Sequence, residues 1–89
     1  MMARPMTDEK AKTMARSFVE EALQESSRDD ATIDRVYLIP DRKLYVVVVV
    51  VRDNKFRVSF PFQELTENQG EACQKARLFV TAGLPKQTR

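Results

Sequence analysis

Eighty-nine residues carry 15 basic and 13 acidic side chains, 43% hydrophobic residues, two glycines and one cysteine. This suits a single small domain with an ordinary core, and the net charge of +2 is too small to mark a nucleic-acid or membrane binder. The absence of histidine excludes His-dependent triads and imidazole bases, and the lone Cys73 excludes an intrachain disulfide and fits a reducing compartment.

The first predicted element runs from Thr7 to about Glu25. Thr7 can cap it, and Asp8 and Glu9 suit the positive end of the helix dipole. Ala11, Met14, Ala15, Phe18, Val19, Ala22 and Leu23 recur at helical spacing and form one apolar stripe. Residues before Thr7 read as a flexible arm without the apolar stretch of a signal peptide. Ser26 to Thr32 reads as a polar loop.

Three strands are expected next: Ile33–Ile39, Leu44–Arg52 and Lys55–Phe62. Pro40 to Lys43 makes the first turn. Asp53-Asn54 makes the second, because both residue types tolerate positive φ. The middle strand holds six consecutive valines, Val46 to Val51, the pattern of a strand buried on both faces. Its apolar run is too short to cross a bilayer, which needs about 20 residues.

The expected turns set a register. Tyr45 opposes Leu38 and Val47 opposes Val36. Toward the third strand, Val51 opposes Phe56 and Val49 opposes Val58. One face then carries Val36, Leu38, Tyr45, Val47, Val49, Val51, Phe56, Val58 and Phe60. The other carries Arg35, Tyr37, Ile39, Leu44, Val46, Val48, Val50, Arg52, Lys55, Arg57 and Ser59.

The last segment opens on Thr66-Glu67-Asn68-Gln69, a capping-box pattern. Ala72, Ala76, Phe79 and Val80 form its inward stripe, with Cys73 at the edge as a small hydrophobe. Gly83-Leu84-Pro85 reads as a stop with Gly83 in the left-handed region, and Lys86–Arg89 as a tail.

The fold expected is α+β, in the order α-β-β-β-α. A three-stranded antiparallel meander carries two helices packed on one face. This order resembles that of the double-stranded-RNA-binding domain. Gln69 to Arg77 is similar to the start of that family's last helix, and the resemblance implies phosphate contacts from Lys75 and Arg77. Cys73 and Gln74 stand where the family has a lysine pair, and Pro40–Lys43 where it has a Gly-Pro-x-His loop.

Two helices can cover one sheet face, which leaves the second uncovered. An exposed apolar patch marks an interface. The expected function is therefore a non-enzymatic, cytoplasmic protein-interaction module. It is a homodimer through Tyr37, Ile39, Leu44, Val46, Val48 and Val50, unless a terminal arm covers them. The alternative is a nucleic-acid-binding module using the basic residues Arg35, Arg52, Lys55 and Arg57 around Tyr37; as a rim, the same charges suppress aggregation. No catalytic residue, metal ligand, cofactor, membrane contact or small-molecule substrate is expected.

Overall fold

The computed structural model describes residues 7–86; the expected N-terminal arm, residues 1–6, and the end of the expected tail, residues 87–89, lie outside them. Helix α1 spans Asp8–Glu25, and the Thr7 hydroxyl caps it by accepting from the Lys10 N–H at 3.2 Å. Strands β1 (Ala31–Ile39), β2 (Leu44–Val51) and β3 (Asn54–Pro61) follow as an antiparallel meander in the order β1-β2-β3. Helices α2 (Phe62–Glu67) and α3 (Gln69–Leu78) and a π-type turn over Phe79–Gly83 complete the chain. The fold is α+β, with helices before and after the sheet.

The expected β1–β2 register holds: Leu38 pairs with Tyr45 and Val36 with Val47. A bulge at Asp34, between Ile33 and Arg35, is an addition. It inserts one residue into β1 and so shifts Ile33 onto the face of its partner Val49. The expected β2–β3 register is corrected by two residues. Val51 pairs with Asn54, Val49 with Phe56 and Val47 with Val58. The turn residues are Arg52 and Asp53, with φ of 50° and 68°, not Asp53-Asn54. Positive φ at both positions is what a two-residue hairpin turn requires. The Asn54 side chain closes it by donating to the Arg52 carbonyl at 3.3 Å.

Because the correction is an even number, the β2 and β3 side chains keep their expected faces, except Arg52, which leaves β2 for the turn. Tyr45, Val47, Val49, Val51, Val58 and Phe60 are buried in one cluster with Ala11, Ala15, Val19, Ala22 and Leu23 of α1. Leu65, Ala72, Ala76, Val80 and Leu84 close the same cluster. The alanines let α1 approach the sheet and α3 closely, which is why its stripe is so thin in side-chain volume.

The second helical region departs from the expected single helix. The chain breaks at Asn68, with φ −129° and ψ 55°, between α2 and α3. No capping box forms. The Thr66 hydroxyl donates back to the Phe62 carbonyl at 3.1 Å, and the Gln69 amide donates to the Leu65 carbonyl at 3.1 Å. Gly83 is not in the left-handed region. The helix ends instead on a wide turn in which the Leu84 N–H donates to the Phe79 carbonyl at 2.9 Å. Close packing explains the glycine: a Cβ there would stand 3.2 Å from the Phe79 ring.

Candidate interaction surface

The sheet face opposite the main core is built from β1 residues Arg35, Tyr37 and Ile39, β2 residues Leu44, Val46, Val48 and Val50, and β3 residues Lys55, Arg57 and Ser59. Neither Val46 nor Val48 belongs to the core cluster. The register sets Val46 between Tyr37 and Ser59, and Val48 between Arg35 and Arg57. The two valines are only 4% and 2% exposed in the single chain. This moves the weight of the surface away from its centre. Tyr37, Ile39, Leu44 and Val50 are the partly exposed members, and they hold the apolar area a partner can still remove from water.

The charges of this face are now placed. The Asp34 carboxylate stands 3.3 Å from Arg35 Nε and 3.9 Å from Lys55 Nζ. It ties the two edge strands together across the end of β2. Arg57 forms no ion pair or side-chain hydrogen bond among the described residues. Arg52 is not on the strand face at all. It occupies the turn, and its guanidinium donates to the Lys86 carbonyl at 3.1 Å, holding the start of the expected tail. Three cations, Arg35, Lys55 and Arg57, therefore face one anion, Asp34.

The phosphate contacts implied for α3 are also spoken for. Lys75 Nζ donates to the Ser59 carbonyl and to Glu64 Oε2, both at 3.1 Å, and lies 5.6 Å above the Phe60 ring centre. Glu64 Oε1, which is buried, stands 3.0 Å from the same ammonium without a hydrogen bond aligned to it. Arg77 meets Glu25 at 3.1 and 3.3 Å, linking α3 to the end of α1. Lys75 also occupies a carbonyl of the edge strand β3, whose last residue, Pro61, has no N–H to offer. Strand addition at that edge is hindered.

Away from the sheet face, Arg28 and Asp30 form a two-bonded pair, 2.9 Å for each bond, with the Arg28 side chain 8% exposed. The Arg28 hydrogen bonds lower the Asp30 carboxyl pKa. Cys73 is a partly buried free thiol. Leu78, outside the inward stripe, is 65% exposed. Among the described residues there is no group of three or more potential metal ligands, and no helix is long and apolar enough to cross a membrane.

A cleft not marked by any sequence motif lies away from the outer sheet face. Asp8, Leu38, Pro40, Lys43, Tyr45 and Phe62 line a cleft of about 320 Å³ where the β1–β2 turn meets the starts of α1 and α2. The Tyr45 hydroxyl donates to Asp8 Oδ1 at 2.8 Å, and the Tyr45 and Phe62 ring centres are 6.3 Å apart. The walls come from three separate stretches of chain, so no local motif announces them.

Burial, then the bond to Asp8, pushes the Tyr45 phenol from 10.0 up to about 12. A raised folded-state value stabilises the fold below the unfolded pKa, and that stability is lost as pH rises through the folded one. Thermal melts followed by circular dichroism should therefore fall between pH 10 and about 12. Tyr45→Phe should flatten that decline, at a cost of about 1 kcal/mol at neutral pH. An unchanged alkaline decline in the variant would refute the assignment.

Comparison with known protein families, with curated proteins and with solved structures finds no match.

Proposed function

We propose that the protein is a non-enzymatic interaction module that pairs with a second copy of itself through the outer sheet face. The observation that supports this is the apolar face opposite the main core cluster, where the partly exposed Tyr37, Ile39, Leu44 and Val50 flank the already buried Val46 and Val48. Sheet faces pack on one another with strands roughly aligned, and a two-fold axis makes such a face self-complementary. The obstructed β3 edge favours face-to-face pairing over strand addition.

Sedimentation equilibrium should return twice the 10.3 kDa chain mass. Ile39→Lys, at a partly exposed position, should give a folded monomer. Salt supplies a second sign. Three cations against one anion repel across a two-fold axis, so raising salt should tighten the dimer. A wild type that remains monomeric at high concentration would overturn the proposal.

The nucleic-acid reading has one observation in its favour: Arg57 has no ion-pair or hydrogen-bond partner for its side chain among the described residues. Of the other three residues assigned to it, Arg35 and Lys55 share Asp34, and Arg52 holds Lys86. This reading predicts the opposite salt response: binding of labelled RNA or DNA, read by anisotropy, that weakens steeply as salt rises.

A further inference from the structure

The cleft beside Tyr45 holds two opposite charges that do not meet. Asp8 and Lys43 both line it, yet they form no ion pair. The Asp8 carboxylate is held in place by the Tyr45 hydroxyl on Oδ1, and no other donor among the described residues reaches it. Its second oxygen takes no hydrogen bond among the described residues. Lys43 lies just beyond the Pro40–Arg42 turn, in the left-handed region at φ 49°, and its ammonium has no partner among the described residues. Its carbonyl is fixed, accepting from the Phe62 N–H at 2.9 Å, so the backbone on that side of the cleft is anchored to α2.

Between these charges the lining is apolar. Leu38, Pro40, Phe62 and the Tyr45 ring supply it. Apolar walls with a few placed polar groups are the usual make-up of a small-ligand site, and about 320 Å³ sits at the small end of the range for such sites. A cation alone would satisfy Asp8 and be repelled by Lys43; an anion alone would do the reverse. A ligand bearing both charges satisfies both walls.

The geometry points to a binding site for a small zwitterion with an apolar side chain, of which an α-amino acid is the simplest example. Its ammonium would pair with Asp8 Oδ2 and its carboxylate with Lys43. Its side chain would lie against Leu38 and Phe62. This site is distinct from the outer sheet face and does not depend on the chain pairing with itself.

The test uses the full chain, isotope-labelled, and three probes titrated by amide chemical shift: L-phenylalanine, phenethylamine and 3-phenylpropionate. L-phenylalanine should give saturable shifts centred on Lys43, Tyr45 and Phe62. Each one-charge analogue should bind about tenfold more weakly or worse. Asp8→Asn, which can still accept from Tyr45, should reduce L-phenylalanine to the level of 3-phenylpropionate. Lys43→Gln should reduce it to the level of phenethylamine. A folded spectrum elsewhere in each variant separates loss of binding from loss of fold. No saturable shift up to the solubility limit of L-phenylalanine would overturn the proposal. So would equal binding of the analogues, or unchanged affinity in both variants.

Discussion

Phe60→Ala should remove about 3–5 kcal/mol of stability. Phe60 is fully buried in the main cluster, with its ring centre 6.3 Å from that of Phe18 on α1. On the α3 side Lys75 Nζ stands 5.6 Å from the same ring centre. One side chain on β3 thus joins the sheet to both helical regions. Truncation leaves a cavity that the stiff, β-branched valines of β2 cannot easily fill. It also leaves the Lys75–Glu64 pair without the aromatic face beneath it. A domain of this size has roughly 5–15 kcal/mol in total, so the variant should lose a large fraction of its stability. Urea titration should show a much lower midpoint with an unchanged slope. Leu78→Ala, at the 65% exposed position, should stay within about 0.5 kcal/mol of wild type. Equal effects of the two substitutions would contradict this placement of the core.

The faces of the sheet were legible because the signal has a period of two. The second hairpin shows how much error that signal absorbs. Asp53-Asn54 is the better turn by residue type, yet the chain turns at Arg52-Asp53. The Arg52 side chain reaches the Lys86 carbonyl, 34 positions away in sequence, and local propensity has no access to that bond. Moving the turn by one position moves the register by two, so Phe56, Val58 and Phe60 still face the helices.

The bulge at Asp34 was less accessible. Asp34 and Arg35 mark an interruption in β1, but an interruption alone does not tell whether the strand ends, bends or bulges. The ion pair from Asp34 to Lys55 forms only once β3 is in place, while that to Arg35 is local to β1. The split between α2 and α3 was hidden for the opposite reason: Thr66 and Gln69 carry a local capping signal. Both side chains are instead taken by the carbonyls of the preceding turn, at Phe62 and Leu65. The cleft required the start of α1, the β1–β2 turn and Phe62 to converge, which is a tertiary fact.

Val49→Asp and Val50→Asp, though adjacent, should differ sharply in stability. Valine and aspartate are close in size, so the contrast reads environment and not shape. Val49 is fully buried between the helices and the sheet, and no cation is assigned to that core. An aspartate there must either hold an unpaired charge or take up a proton, and it loses the apolar contacts in both cases. The expected cost is about 4 kcal/mol or more, enough to unfold most of the population. Val50 lies on the other face, partly exposed and paired in register with Lys55. An aspartate there meets water and a nearby ammonium, so the fold should survive with a loss of about 1 kcal/mol or less. Its effect should appear in association instead. A carboxylate placed in the outer apolar stripe and brought against its own symmetry mate costs desolvation and like-charge repulsion together. Circular dichroism should therefore show an unfolded Val49→Asp and a folded Val50→Asp. Sedimentation should find the latter at the mass of one chain. A folded Val50→Asp that still sediments as a dimer would remove the outer face from consideration. An unfolded one would show that this face contributes to the stability of the single chain, and Ile39→Lys would then decide the question of pairing.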